Sequence, residues 1–260
     1  MNVAACTQPA LKPNVTAWLV VQSLLAAGHQ HFLENLQGSI LRRLSKTLWS
    51  RHEPVVYEFT NDRALLHQYY HMREIMYRKM SFVYDYVGEE DEYDKISHIL
   101  IARRGRLCVG GCRLTTREAD EDFLLPMESP DFKLRDVLPN LLLRKFRHGE
   151  ISRFAVLDDD DDKLDVMLAL SQLIIEKCVS AGLGFAFIKS NLPMARNWRK
   201  IGQTHCGLEK MRICTEIKVP EYPLCPEVKW YISEITMPAA EESTALRKER
   251  LAVTVDSLFH

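Results

Sequence analysis

Apolar and polar residues repeat with two different periods along the chain, and the changes of period mark the predicted elements. Alternation of apolar and polar positions is typical of a strand, whereas spacings of three and four are typical of one face of a helix. In order, the pattern predicts a strand at 55–59, a helix from 62 to about 80, a hairpin of strands at 99–102 and 107–114, a short helix near 135–146, a strand at 150–156, a helix at 163–181, a strand at 184–189, a helix at 191–200, and strands near 212–219 and 229–235.

The helix predicted at 163–181 carries an apolar stripe that runs from Leu164 through Ser171 to Cys178, and this stripe is its expected buried face. Gly202 is expected to end the helix that follows, as glycine does just beyond many helices. Strands alternate with helices around a central hairpin. This order predicts a mixed α/β sheet with helices on its faces.

Residues 1–50 are predicted to form a helical N-terminal extension of two amphipathic or apolar stretches separated by Gly28. The stretch at 17–27 is compatible with a signal-peptide core, but the basic start before it is thin and a second stretch follows at once. A docking helix is therefore the preferred interpretation. The chain then divides into this extension at 1–50, a core at 51–236 and a C-terminal tail at 237–260 that is predicted to be helical.

Composition and charge narrow the function classes. The 260 residues include 34 Lys and Arg against 35 Asp and Glu, and 47% are hydrophobic. This is an ordinary globular composition, which excludes a wholly disordered chain. The net charge of −1 disfavours a nucleic-acid-binding surface over the whole protein. No apolar run reaches the roughly 18–20 residues that span a bilayer, so no membrane span is expected.

The seven cysteines include no Cys-x-x-Cys pair, so small buried thiols in a reducing cytoplasm are expected rather than disulfides. A zinc site needs several ligands at tight spacing, and only His205 next to Cys206 comes near that pattern. No metal site is predicted.

Charged residues that fall at the ends of predicted apolar elements are the candidates for chemistry. An unpaired buried charge costs several kcal/mol, so such residues need partners. A structural salt-bridge network and a catalytic site both fit them, since both perturb pKa values. The acids are Asp91, Asp94 and Glu150, and the bases are Arg73, Arg113 and Arg153.

Strict alternation along the strand at 150–156 places side chains on two faces. Glu150, Ser152 and Phe154 are expected on one face. Ile151 and Arg153 are expected on the other.

The chain resembles the acyl-homoserine-lactone (autoinducer) synthase family in four motifs. They occur in the family's order and at its intervals: Arg73 with Tyr77, Asp91 with Asp94, Gly110–Thr116, and Glu150–Val156. The resemblance covers roughly residues 52–235, and its last motif is the most specific. It implies an acetyltransferase-like (GNAT-type) α/β fold, which agrees with the predicted order of elements.

The resemblance also implies a reaction. Members of this family transfer an acyl group from a thioester, usually on acyl carrier protein, to the amine of S-adenosylmethionine. The carboxylate of that substrate then attacks its γ-carbon, closes the lactone and releases methylthioadenosine. The expected protein is a cytoplasmic acyltransferase of quorum-sensing signal synthesis. S-adenosylmethionine would be its co-substrate, with no permanently bound cofactor.

The expected roles follow from this chemistry. The attacking amine must be neutral, so Glu150 is the expected general base. Asp94 would hold the ammonium group or position the sulfonium substrate, with Asp91 in support. Arg113 and Arg153 would bind the substrate carboxylate or fix these acids by bidentate pairing.

Ser152 and Phe154 belong to the last motif and are assigned to the substrate site. Backbone N–H groups near Phe154 and Ala155 are the expected donors to the oxyanion of the tetrahedral intermediate. Arg73 and Tyr77 match family positions that order the N-terminal helix around the acceptor, and a structural role is favoured for both.

The chain departs from the family at two positions. Val83 stands where the family usually has tryptophan, and the neighbouring Phe82 is expected to supply the ring of the acceptor pocket. Cys112 replaces the usual aromatic residue or histidine before Arg113. An N-acyl amino acid synthase that uses a free amino acid is therefore the nearest alternative. A non-catalytic relative that binds carrier protein or another partner, through residues 1–50, is a further alternative.

The loop after the fourth strand bears on the acyl donor. Coenzyme A acetyltransferases bind diphosphate there through backbone N–H groups, whereas this chain has five aspartates at 158–162. Their charge would repel a diphosphate. A solvated loop whose acids favour the following helix N-terminus is equally compatible. Both interpretations disfavour ordinary acetyl-coenzyme A chemistry.

Acyl carrier protein is acidic, so its docking surface should be basic. The predicted surface consists of Lys189, Arg196, Arg199 and Lys200. A merely solvated basic face fits the same residues.

Overall fold

The computed structural model describes residues 53–79, 86–157, 162–221 and 227–238. The predicted extension at 1–50, nearly all of the predicted tail, and both Phe82 and Val83 lie outside these residues. What the sequence predicts for them stays a prediction. In the described part of the chain, no helix is both long enough and apolar enough to cross a membrane.

Seven strands form one mixed sheet in the order β1-β2-β3-β4-β5-β7-β6. β4 and β5 run parallel, whereas the other neighbouring strands are antiparallel. The pattern placed each of them, although β6 ends well before the predicted residue 219. The strands are β1 (Val55–Phe59), β2 (His98–Arg104), β3 (Leu107–Arg117), β4 (His148–Val156), β5 (Phe185–Asn191), β6 (Met211–Cys214) and β7 (Trp230–Thr236).

The helices are α1 (Arg63–Lys79), α2 (Leu134–Val137), α3 (Lys163–Ser180) and α4 (Leu192–His205). Asp62 caps α1 as expected, since its Oδ1 accepts from the backbone N–H of Ala64 at 2.8 Å. The helix predicted near 135–146 is instead the short α2 and two 3-10 turns, Pro139–Leu141 and Leu143–Lys145. Pro139 prevents the helix from continuing, because the residue before a proline avoids helical geometry.

The two faces of the sheet are covered by different helices, as the alternation along β2 shows. Ile99 and Ile101 pack with α1 on one face. Leu100 and Ala102 pack with α3 on the other face. The sheet thus lies between two helical layers, which confirms the predicted mixed α/β architecture.

The buried face of α3 includes Ser171 and Cys178 of the predicted stripe, but it departs from the stripe at the start of the helix. Leu164 is 60% exposed, whereas Val166, Leu170 and Ile174 are completely buried. α3 is apolar around much of its surface, so several stripes fit the same spacing and tertiary packing selects one of them.

Gly202 does not end α4, because the helix continues to His205. A Cβ atom on Gly202 would lie 3.0 Å from Met211 Sδ and 3.1 Å from Leu208 Cδ1. The glycine therefore serves close packing of α4 against the sheet, which here outweighs its low helix propensity.

Candidate active site

A β-bulge in β4 shapes the centre of the sheet. Gly111 is opposite Ala155 and Arg113 is opposite Ser152, so β4 has one residue more than β3 between these pairs. Arg153 lies in the bulge with a positive φ of 57°. The strict alternation predicted for this strand is therefore wrong. Arg153 and Glu150 line the same cavity rather than opposite faces.

α1 holds the bulge from one side. The Tyr69 hydroxyl donates to the carbonyl oxygen of Arg153 at 2.5 Å. This approach requires a glycine on β3, since a Cβ atom on Gly111 would lie 2.8 Å from the Tyr69 ring. Close packing against Tyr69 thus explains the second glycine, Gly111, of the motif at Gly110–Thr116.

The cavity lies where β4 and β5 part. These strands pair only at three positions, from His148 with Phe185 to Glu150 with Phe187. Beyond Glu150 the strands diverge, and a cavity of about 650 Å³ occupies the opening. A volume of this size suits a small-molecule substrate.

The cavity wall combines apolar and charged residues. Residues from β4, β5 and α4 give an apolar part: Ile151, Phe154, Ile188, Met194 and Trp198. The loop before β2 and the start of β4 contribute the acids Asp91, Glu92 and Glu150, and the basic residues of the lining are Arg113, Arg153 and Lys189. Such a cavity can hold an apolar chain beside a cationic group.

Five charged residues beside the cavity form what we call the site cluster: Arg73, Asp91, Asp94, Arg113 and Arg153. At its centre, Asp94 accepts from Arg73 Nη1 at 3.1 Å and from Arg113 Nη1 at 2.9 Å. All three side chains are buried. Asp94 and Arg73 do not line the cavity, so they lie behind its wall.

Asp91 joins the cluster to the cavity surface. Its two oxygens accept from Arg113 Nη1 at 2.6 Å and from Arg153 Nη2 at 3.1 Å. Burial raises the pKa of Asp91, but the hydrogen bond and charge of Arg113 outweigh it and lower the pKa to about 2. Asp91 therefore stays ionised, and its side chain is 28% exposed.

Glu150 is a buried carboxylate of this site whose described hydrogen bond comes from a backbone N–H rather than from an arginine. It is 4% exposed. Its Oε2 accepts from the backbone N–H of Met127 at 2.7 Å. Burial raises the pKa of Glu150 to about 7, although the charges of Arg113 and Arg153 and the Met127 hydrogen bond act in the opposite direction. A carboxyl with such a pKa can take up and release a proton near neutral pH.

The remaining predicted site residues also lie near this cavity. Arg113 Nε donates to the Ser152 hydroxyl at 3.2 Å. The Phe154 ring packs edge-on against Trp198 at 5.1 Å between centroids. The Tyr77 hydroxyl donates to the Phe154 carbonyl oxygen at 3.5 Å. Phe82 lies outside the described residues.

The basic residues predicted as a docking surface separate into two places. Arg196, Arg199 and Lys200 lie together at a shallow depression on α4. Lys189 lines the cavity instead, with its Nζ 5.9 Å from the centroid of the Trp230 ring. The structure thus gathers three of the four residues on one face.

Several cavity residues were missed from the sequence. Met127 lies in an irregular segment, where neither periodicity nor a motif points to its backbone N–H. Trp198 lies on the buried side of α4 and Trp230 begins β7. Tryptophans in a helix and a strand that adjoin the predicted site strand are the signal that could have found them.

The fold is shared with solved structures of acyl-homoserine lactone synthases. BjaI, a CoA-dependent acyl-homoserine lactone synthase, matches with a TM-score of 0.50 and 18% identity over 72% of this chain and 84% of that chain. LasI matches at 0.48, with 14% identity over 72% of this chain and 92% of its own. FeeM, an N-acyl amino acid synthase from uncultured soil microbes, matches at 0.48, with 9% identity over 73% of this chain and 94% of its own.

An acetyltransferase of the GNAT family matches as well. No protein-family model matches the chain, and no curated protein matches it. The seven-stranded mixed sheet between two helical layers confirms the predicted fold class. The resemblance to autoinducer synthases that the motifs carry is confirmed as a similarity of fold.

Proposed function

We propose that this protein is an acyl-homoserine-lactone synthase, which acylates S-adenosylmethionine from a thioester and closes the lactone. One observation carries the proposal: Glu150, with a pKa of about 7, lines a cavity that also has apolar residues for an acyl chain and charged residues for a polar acceptor. The motif residues of the family surround it. The shared fold agrees with this arrangement.

In the proposed first step, the Glu150 carboxylate removes a proton from the ammonium group of the acceptor. The neutral amine attacks the thioester carbonyl and a C–N bond forms. The C–S bond then breaks, and the leaving thiolate takes up the second proton, which the nitrogen loses as it becomes an amide. General-base assistance of this kind is worth roughly 10²–10⁴-fold in rate. A base with a pKa near the working pH is well suited to it.

The bulge is the proposed oxyanion site. A bulge takes backbone groups out of the ladder, and here the carbonyl oxygens of Arg153 and Phe154 both accept from tyrosines of α1. Phe154 lines the cavity. We assign its backbone N–H as a donor to the tetrahedral oxyanion, as the sequence motif implied.

The acidic residues of the cavity wall are the proposed binding site for the acceptor. Asp91, Glu92 and Glu150 favour a cationic substrate there. Arg153 reaches the cavity and is 19% exposed, so it can bind the substrate carboxylate while still bonded to Asp91. Asp94 is enclosed by Arg73 and Arg113. We therefore propose that Asp94 positions these arginines rather than touching the substrate.

In the proposed second step, a carboxylate oxygen of the acylated substrate attacks its γ-carbon. The C–O bond forms as the C–S bond of the sulfonium breaks, and sulfur keeps the electron pair in neutral methylthioadenosine. No proton has to move in this step. The protein's contribution is to hold the carboxylate near the γ-carbon, which is the task proposed for Arg153.

Acyl carrier protein is the proposed donor, and Arg196, Arg199 and Lys200 are its proposed docking residues. Their common face on α4 adjoins the cavity, since Met194 and Trp198 of the same helix line it. BjaI is CoA-dependent, so coenzyme A thioesters are the alternative donor. Of the acidic loop predicted to repel a diphosphate, Asp162 is described, and it pairs with Arg104 at 2.8 Å.

The test supplies purified protein with acyl thioesters of carrier protein or of coenzyme A, and with S-adenosylmethionine or free amino acids. We expect lactone and methylthioadenosine in equal amounts. An open-chain N-acyl amino acid would show instead the alternative synthase that the Val83 departure suggested. Absence of turnover with every acceptor would favour a non-catalytic relative.

The donor is identified in the same assay. Charge reversal of two docking residues, Arg199→Glu with Lys200→Glu, should lower kcat/KM for the carrier-protein donor at least tenfold, since about 1 kcal/mol is expected for each lost interfacial charge contact. The coenzyme A reaction serves as the internal control. Equal losses with both donors would argue against docking on α4.

A further inference from the structure

A second buried ionic cluster lies on the same two strands, outside the cavity. Arg117 of β3, Glu128 of the loop before α2 and His148 of β4 form this group, which we call the anchor cluster. Arg117 Nη1 donates to Glu128 Oε2 at 2.7 Å, and Arg117 Nε donates to His148 Nε2 at 3.1 Å. None of the three lines the cavity, so the proposed reaction does not use them directly.

Glu128 gathers the loop around itself. Its Oε2 accepts from the backbone N–H of Leu125 at 2.9 Å, and its Oε1 accepts from that of Leu134 at 2.7 Å. Arg117 adds a hydrogen bond to the carbonyl oxygen of Phe123 at 2.8 Å. One buried ion pair therefore fixes the backbone at three places along a segment that has no strand or long helix of its own.

His148 completes the cluster in its neutral form. Its Nε2 faces two donors, Nε and Nη2 of Arg117, and must accept from them. Its Nδ1 lies 2.9 Å from the carbonyl oxygen of Phe146, so the proton is on Nδ1. Burial lowers the pKa of His148, which agrees with this assignment.

The anchor cluster reaches Glu150 through Met127. Met127 is the residue just before Glu128, and its backbone N–H is the one that Glu150 Oε2 accepts at 2.7 Å. Met127 and Pro126 also form part of the cavity wall. Since contacts of Glu128 and Arg117 hold the loop on both sides of Met127, they determine where this N–H points.

We infer that the anchor cluster is a positioning device for Glu150: it presents the Met127 N–H to the carboxylate and so keeps Glu150 in its charged, proton-accepting form. The consequence for catalysis rests on the proposed function. The charge state of Glu150 is independent of the proposed function, because it can be measured without turnover.

The direction of the effect follows from the groups that face Glu150. Arg113, Arg153 and Lys189 favour the carboxylate by charge, as does the Met127 N–H by hydrogen bonding, whereas burial favours the neutral acid. Tyr93 also faces this carboxyl: burial raises the pKa of Tyr93, and the charges of Glu92 and Glu150 raise it further. Releasing the N–H removes one stabiliser of the carboxylate, so the pKa of Glu150 must rise above about 7.

Glu128→Gln tests the inference in the full-length protein, because it places an amide NH₂ among donors of Arg117 and the backbone. Carboxyl ¹³C NMR, with Glu150 assigned by its loss in Glu150→Gln, should show its titration midpoint about one pH unit higher. If the enzyme is active, kcat/KM at pH 7 should fall about fivefold and recover near pH 9. Asp122→Asn, an exposed acid of the same loop, is the matched control and should change neither value.

A milder pair of variants guards against a misfolded Glu128→Gln. His148→Leu removes the acceptor for Arg117 and should raise the titration midpoint of Glu150 by less than Glu128→Gln does. His148→Gln restores an acceptor, so the midpoint should return to the wild-type value. An unchanged midpoint in folded Glu128→Gln, or equal shifts in both His148 variants, would overturn the inference. A shifted midpoint in a protein that turns over no substrate would support it and would count against the proposed function alone.

Discussion

The site cluster and the anchor cluster both pair buried arginines of β3 with acids from loops and both include a residue of β4, but only the site cluster reaches the cavity. In the anchor cluster, both oxygens of Glu128 accept from Arg117 and from backbone N–H groups, and all its side chains are buried. In the site cluster, Asp91 and Arg153 are partly exposed at a cavity. Both clusters thus contain buried, paired charges, and they differ in whether a molecule in the cavity can reach them.

Glu150 and Glu128 show a second difference, in their hydrogen-bond donors. Glu150 is as buried as Glu128, yet a backbone N–H is its described hydrogen-bond donor, and burial raises its pKa to about 7. The arginine-paired Asp91 shows the opposite direction, since the hydrogen bond and charge of Arg113 lower its pKa to about 2 despite its partial burial. A carboxylate that is buried beside arginines but not bonded to them is costly for stability and useful for proton transfer. Incomplete pairing, rather than burial, therefore distinguishes Glu150, the proposed base, from Glu128.

The largest expected effect is on catalysis by Glu150→Gln. Removal of a general base should lower kcat by about 10²-fold or more at every pH between 6 and 9. A kcat near the wild-type value across that range would exclude Glu150 as the base. The measurement is steady-state kinetics with the substrate pair that supports turnover.

The same variant should be more stable than the wild type at alkaline pH. The pKa of Glu150 is raised in the folded protein to about 7, so ionisation costs stability as pH rises from about 4.5 to 7. Glutamine avoids this cost and can still accept from Met127. Urea unfolding should show a gain of roughly 2–3 kcal/mol at pH 8 and almost none at pH 4. A loss of stability at pH 8 would show that Glu150 is a structural acid like Glu128.

An effect of similar size but opposite sign is expected at Asp94, which belongs to the site cluster but has a proposed structural role. Asp94→Asn leaves Arg73 and Arg113 buried without their shared carboxylate, which should cost about 3 kcal/mol of unfolding free energy. Glu92→Gln, an exposed acid two residues earlier, is the control and should change stability by less than about 0.5 kcal/mol. Equal values for the two variants would show that Asp94 does not hold the arginines.

Much of the fold follows from the sequence because its signals are local. Alternation in Val55–Phe59, the cap at Asp62 and the glycine in the hairpin connector each specify one element. The buried face of α3 and the length of α4 could not be predicted. They depend on which neighbours Leu164 and Gly202 meet in three dimensions, and several choices satisfy the local pattern equally.

The sequence identified the charged residues that the structure brings together, but it did not predict their geometry. The six charged residues were identified by spacing and by the family motifs, which report identity rather than direction. A single inserted residue at Arg153 turns side chains of β4 toward the same cavity, and strict alternation cannot foresee a bulge. The Met127 N–H is a backbone group in an irregular loop, so no side-chain pattern encodes it.

The smallest expected effect concerns Asp91, the acid through which the site cluster meets the cavity. Its pKa is lowered to about 2 in the folded protein, so its stabilisation is fully present above about pH 4 and is lost as pH falls toward 2. Asp91→Asn should therefore cost about 1 kcal/mol at pH 7, because partial exposure weakens the pairing, and roughly half of that at pH 3. Urea unfolding at both pH values measures this difference. A cost that stays constant between pH 7 and pH 3 would mean that the Asp91 side chain acts by shape rather than by charge, and the exposed part of the site cluster would then not differ electrostatically from a solvated loop.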